Sequence, residues 1–294
     1  MVQQKVQLRK IRDLSDNLSD TFQFIRQEFK PLLKSFVLIA GAFLLANAIM
    51  SGMYQKTAFG FLDTLKTGGT GNETQMFSSL FSPGYFITIG LTWLSMLSMN
   101  VVVACYMKIY QEKNESPSSE EVWNYFIRYF PKVILFSIPQ IILVIIGLVF
   151  CIFPGIYLAF VFVPFQFIIV LEDADFGTAM SRCFEIIKRN FWMSVGIYVV
   201  AYLIYTFSSS IIGLVVAGIV GVISYLTTKQ LSTTVGIVMS VISIVGYAFY
   251  LVFLVSAFLN YCSLTESHDG TGLAARLETL GEKNDLHNNQ EEEY

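Results

Sequence analysis

Six long apolar runs, divided by short polar connections, constrain this chain more than any other feature. They occupy residues 35–53, 85–106, 132–150, 155–171, 191–226 and 235–264. A helix rises about 1.5 Å per residue and the hydrocarbon of a bilayer is about 30 Å thick, so about 20 apolar residues make one crossing. Lipid offers no partner to backbone N–H and C=O groups, which leaves helices and closed barrels as the spanning structures. Runs of this length without strand alternation predict helices. Composition agrees, at 54% hydrophobic and only 14% charged residues. The expected fold is an all-α integral membrane protein with six transmembrane helices. Residues 1–34 form a cytoplasmic N-terminal segment in this reading, 35–264 the transmembrane domain, and 265–294 a polar, largely disordered cytoplasmic tail with a short helix at 273–280.

Orientation follows from the basic residues, which are retained on the cytoplasmic side of a membrane. Six crossings place sixteen Lys and Arg on the side of both termini, among them Arg9, Arg12, Lys108, Lys113, Arg128, Lys132 and Arg182. The other side receives three, Lys56, Lys66 and Lys229. Both ends are therefore expected in the cytoplasm. The first apolar run begins near Ser35 and no small-residue cleavage site follows it, so it is expected to stay as an anchor. The run at 191–226 is longer than one crossing requires, and Ser208, Ser209 and Ser210 interrupt it. One bent or overlong helix keeps the tail inside; a turn at the serines makes seven spans and puts it outside.

Each odd-numbered span is preceded by an amphipathic stretch with a similar ending: FIRQEFKPLL from Phe24, FIRYFPKVIL from Phe126 and IIKRNFWMSV from Ile186. Upstream, Leu14, Leu18, Phe22, Ile25 and Phe29 recur at three- and four-residue spacing, as one helix face does. Val122, Trp123, Phe126, Ile127 and Phe130 form the second stripe; Phe176, Met180, Cys183, Phe184, Ile187 and Phe191 form the third. Ser118 and Glu121 have the spacing of a capping box, and Asp173 and Asp175 favour the positive end of the third helix. A helix with one aromatic and one charged face is stable in the headgroup plane. The chain then reads as three repeats of an amphipathic elbow helix plus a helical hairpin, with elbows before residue 35 and near 118–130 and 174–190. Their wet faces make anionic lipid headgroups and a membrane or cytoplasmic protein the expected partners, although such helices also serve as plain anchors.

No charge lies at the centre of a span, where it would mark an ion or proton path. The interior polar groups are Asn47, Asn100, Gln140, Gln166 and Asn260, and Asn100, Gln140 and Gln166 form the candidate intramembrane polar cluster. Single amides of this kind also serve as interhelical hydrogen bonds. Thr88, Thr92 and Ser95 share one face, as do Gly213, Ala217 and Gly221; both stripes read as packing seams. Pro139, Pro154 and Pro164 bend or end helices, and residues 151–154 read as a tight turn. The chain carries no Walker loop, dinucleotide fingerprint, zinc-protease helix or nucleophile elbow. Its two histidines, His268 and His287, sit in the polar tail, and its four cysteines are single and widely spaced, as small apolar fillers are. No catalytic residue, metal or cofactor is expected, and no basic run suits nucleic acid.

The segment FPGIYL at 153–158, then Glu172, Gly177, Ala179, Phe191 and Trp192, and the ending LTESHDGTGL at 264–273 resemble a family of bacterial multi-pass membrane proteins. That family is related to the membrane domain attached to some glycerophosphodiester phosphodiesterases. The resemblance is carried by the second half of the chain and by architecture in the first. It implies an elbow-bearing six-span bundle in a bacterial cytoplasmic (inner) membrane, without the phosphodiesterase barrel and with no site residues to transfer. The expected function is a non-enzymatic scaffold or accessory subunit for envelope or lipid-related machinery. The alternative is a transporter or permease-like subunit for an apolar or lipidic substrate.

Overall fold

The computed structural model describes residues 6–66, 82–227 and 231–270. The short helix expected at 273–280 lies outside the described residues. Eight helices are described: α1 (Leu14–Lys66), α2 (Pro83–Lys113), α3 (Ser119–Phe150), α4 (Ile152–Val161), α5 (Phe165–Leu171), α6 (Phe176–Lys188), α7 (Phe191–Thr227) and α8 (Leu231–Asp269). Six stretches are long and apolar enough to cross a bilayer: Leu14–Tyr54, Pro83–Lys113, Ser119–Phe150, Ile152–Leu171, Phe191–Val220 and Ile244–Asp269. Each overlaps one of the six apolar runs.

The serine triplet is helical, so α7 is one unbroken helix and the seven-span alternative does not hold. A turn there would expose backbone groups that the helix satisfies internally. Ser209 instead meets α8 where Gly246 has no side chain, and a Cβ at Gly246 would strike its hydroxyl. The helix α8 runs on to Asp269, beyond Leu264, where the polar tail was expected to begin.

Four helices, α1, α2, α7 and α8, form the packed bundle. Gln111 donates to Cys262 Sγ at 3.5 Å and Asn100 bonds Tyr250, so α2 and α8 run parallel and in register. Asn260 donates to Tyr198 at 2.9 Å and the Tyr205 and Tyr250 rings lie 5.2 Å apart, which sets α7 antiparallel to α8. The Thr88, Thr92 and Ser95 stripe is a seam against α1: Thr92 donates to Asn47 Oδ1 at 3.0 Å and Ser95 to the Phe43 carbonyl at 3.0 Å. At Gly213, by contrast, no described atom comes within 4 Å of an added Cβ.

The first amphipathic stretch is the leading part of α1 and continues through Pro31 without a break. Its apolar stripe faces outward, with Phe22 49% and Phe29 51% exposed. The buried face lies about a quarter turn round the helix from this stripe: Asn17, Thr21, Phe24 and Glu28 are buried, with Asn17 against α8 and Phe24 and Glu28 against α2, while Asp16, Gln23 and Lys30 on the far side are exposed. The physical reason is pairing. Ser256 donates to Asn17 Oδ1 at 2.8 Å, and Tyr106 donates to Glu28 Oε2 at 2.7 Å. Tyr106→Phe should leave the Glu28 carboxylate buried without its donor, at about 1–3 kcal/mol. Thermal unfolding in detergent checks this: the single variant should melt below the native chain, and Tyr106→Phe with Glu28→Leu should recover part of the loss.

The second stretch opens α3. Ser118 caps it with the expected box, accepting from Glu121 N at 3.2 Å while Glu121 accepts from Ser118 N at 3.2 Å. Again the helix continues, through Pro131 and Pro139, to Phe150. Only the third stretch, α6, is a helix of its own, ended by the turn at Arg189 and Asn190. The turn expected at 151–154 shrinks to Cys151, because Pro154 sits in the first turn of α4, where its missing N–H leaves no helical bond unmade. Gly147 and Gly155 are packed face to face. Of the four thiols Cys151 alone is exposed; Cys105, Cys183 and Cys262 are the buried fillers expected.

Candidate functional site

At the end of the bundle where α2 and α8 finish and α6 lies, the charged side chains gather. Arg182 of α6 is the hub. It pairs with Asp269 at the end of α8, reaches Glu172 Oε2 at 3.5 Å and Glu185 at 3.9 Å. Glu172 accepts from Tyr261 through Oε1 at 2.7 Å, and His268 meets Asp269 at 2.7 Å. Burial works against the Arg182 charge, but the Asp269 hydrogen bond and the Glu172 carboxylate outweigh it and hold its pKa above the ordinary arginine value. Burial, with Glu172 adding to it, pushes the Cys183 thiol up. Cys183 is buried and packs as an apolar filler.

Glu172, Arg182, Tyr261 and Asp269 border a cavity of about 230 Å³, completed by Arg9, Gln111, Thr265 and Glu266 among others. Its lining mixes guanidinium, carboxylate, amide and hydroxyl groups, a surface suited to a polar or zwitterionic group rather than to an apolar one. Beside it, Arg12 is sealed into the fold. Its guanidinium donates to Asp20 Oδ2 at 2.8 Å, to the carbonyls of Leu8 at 2.9 Å and Lys10 at 3.1 Å, and to that of Gln7, while its backbone N–H donates to Ser263 at 2.9 Å. A second ionic cluster binds the hairpin to the same end. Lys132 meets Asp173 at 3.2 Å, Arg128 meets it at 3.7 Å, and Lys108 donates to Tyr129 at 2.8 Å and to the Val170 carbonyl at 2.7 Å. Asp173 holds a left-handed backbone, φ 54°, in the link between α5 and α6.

The candidate polar cluster is dispersed. Asn100 on α2 donates to the Met96 carbonyl at 2.8 Å and bonds Tyr250. Gln140 lies on α3 and its Oε1 is buried without a hydrogen-bond partner; Gln166 lies half-buried on α5. No hydrogen bond joins any two of the three. The sequence reading placed Arg182 in a connection and Asp269 in the polar tail, and did not foresee their union with Glu172. The available signal was Glu172 just before the third elbow and Arg182 within it. Among the described residues no three His, Cys, Asp or Glu are placed to hold a metal ion.

Fold and site together describe an all-α chain whose six long apolar helices fit a multi-pass membrane protein, with a cluster of ion pairs at one end of the bundle. Compared with known protein families, curated proteins and solved structures, the chain matches none.

Proposed function

We propose that this chain is a non-enzymatic scaffold or accessory subunit that holds envelope or lipid-related machinery at the cytoplasmic face of a bacterial inner membrane. One observation carries the reading. Polar groups inside the bundle are engaged in local bonds, such as Asn47 with Thr92, Asn100 with Tyr250 and Glu28 with Tyr106, whereas an open polar recess lies at the charged end. Polar groups tied to one another hold helices together; a recess at one end offers a docking surface. The excess of basic residues beside both termini supports a cytoplasmic placement for that end. The likeness of 153–192 and 264–273 to the membrane domain of glycerophosphodiester phosphodiesterases belongs to the same proposal.

The elbow repeat is part of this reading. Ser256 and Tyr106 stand at one depth, given the α2–α8 register. Asn17 touches the first and Glu28 the second, although a helix covering residues 17–28 is about 16 Å long. That supports an α1 leading segment that runs across the bundle instead of along it, as an interfacial anchor does.

Purified protein in liposomes is expected to move neither ions nor labelled lipid between leaflets faster than protein-free vesicles. Arg9→Glu, which reverses an exposed charge at the rim, is expected to change what co-purifies in mild detergent and leave the melting temperature unchanged. Catalysed lipid flux by the lone chain overturns the proposal. The runner-up, transport of a lipidic substrate, is favoured by the buried, unpartnered Gln140 Oε1 and Ser137 Oγ on α3, and it predicts that Gln140→Leu abolishes such flux.

A further inference from the structure

We propose that the hairpin of α3 beyond Lys132 with α4 and α5 does not cross the bilayer. It turns back within one leaflet, and its apolar tip is embedded among acyl chains. The argument goes beyond the scaffold reading and stands without it. A depth scale comes from the bundle. Gln111 lies against Cys262, Asn100 against Tyr250, and Tyr198 against Asn260, so Phe191, at the start of α7, sits at the charged end near Ser267. Two contacts at its two ends set the hairpin against this scale. Glu172 accepts from Tyr261 at 2.7 Å, and the Tyr157 ring lies 4.8 Å from that of Phe191. As helix, residues 157–172 measure about 22 Å, and a crossing helix would carry Tyr157 to about the depth of Tyr247. Both contacts instead lie at the charged end.

The amphipathic helix α6 follows the hairpin sideways. Phe176 lies 5.9 Å from Phe136 and 6.0 Å from Phe165, and Phe184 lies 5.7 Å from Phe162. The tip has the chemistry of lipid. Phe150 is 86% and Phe153 83% exposed, with Val149 and Ile152 beside them, and no charged residue occurs between Lys132 and Glu172. The end of α1 and the connection after α7, by contrast, carry Lys66 and Lys229. A turn in hydrocarbon is favoured by backbone bonds across it, and this one has two: Cys151 N donates to the Gly147 carbonyl at 3.0 Å and Gly155 N to that of Cys151 at 3.4 Å. Four helices then cross, and both termini remain on one side, since a hairpin that turns back returns the chain to the same face as one that crosses twice.

Cys151 sits at the tip and is the one exposed thiol. With Cys105, Cys183 and Cys262 replaced by Ala, a nitroxide is attached to Cys151 in detergent and the protein is reconstituted into phosphatidylcholine–phosphatidylglycerol vesicles. Oxygen should relax the label and an aqueous nickel chelate should not. Paired labels should place Cys151 nearer to a nitroxide at Trp192→Cys than to one at Phe86→Cys, by at least about 10 Å given the bilayer thickness. Access of the chelate, or the reverse order of distances, overturns the proposal. Dipolar coupling between singly labelled chains also overturns it, by assigning the tip to a second copy. Should the triple substitution fail to fold, the native chain gives the same readout, because its other three thiols are buried.

Discussion

Arg12→Ala is expected to cost the folded protein about 3–5 kcal/mol, the range for removing one partner of a buried ion pair. The side chain is fully buried, while Asp20 keeps a fifth of its surface exposed, which places the expected value at the lower end. The loss is more than one charge pair, because the carbonyls of Gln7, Leu8 and Lys10 lose their donor as well. Arg12→Lys should recover little of it, since an ammonium cannot reach a carboxylate and three carbonyls from one point. Unfolding in detergent, followed by size-exclusion recovery against temperature, measures the effect. A melting temperature within a degree of the native chain would show that the segment before α1 contributes nothing to the bundle.

Gly155→Val should open the α3–α4 hairpin. Even the first carbon of a side chain there would lie 2.5 Å from the Leu148 backbone nitrogen and 2.6 Å from its Cα. A flexible side chain cannot yield on behalf of backbone atoms, so the two helices must move apart. Overpacking costs about 1–3 kcal/mol in well-packed cores, and a contact against backbone belongs at the upper end. The bundle of α1, α2, α7 and α8 is built from other contacts. Its buried Cys105 and Cys262 should therefore stay unreactive to thiol reagents in the variant at ambient temperature, while the melting temperature falls. Unchanged stability would contradict the face-to-face packing of Gly147 and Gly155. Reactive Cys105 would show that hairpin and bundle unfold as one unit.

Several features were legible because their causes are local. The six apolar runs need only their own side chains to become helices in lipid. Ser118 and Glu121 make a capping box from residues three apart, and Thr88, Thr92 and Ser95 share a face by helical geometry alone. Other features failed for an equally physical reason. Pro154 was read as a stop, yet a proline in the first turn of a helix breaks no bond. The outward stripe of Phe22 and Phe29 was visible, but the burial of the neighbouring Asn17 and Glu28 depended on Ser256 and Tyr106, far away in the chain. Asn100, Gln140 and Gln166 looked alike as isolated amides; Tyr250 takes the first, and Gln140 Oε1 is left buried and unpaired.

The amino-acid sequence by itself determined the solvent, the helices and their approximate ends, because hydrophobic length and backbone satisfaction in lipid are properties of contiguous residues. Tertiary structure alone decided which charges meet. Arg182, Glu172 and Asp269 come from three separate parts of the chain and share a site only after α6 folds across the end of α8. It also decided how far the hairpin reaches, since the Tyr157–Phe191 contact depends on where two helices stand in space and not on how apolar either one is.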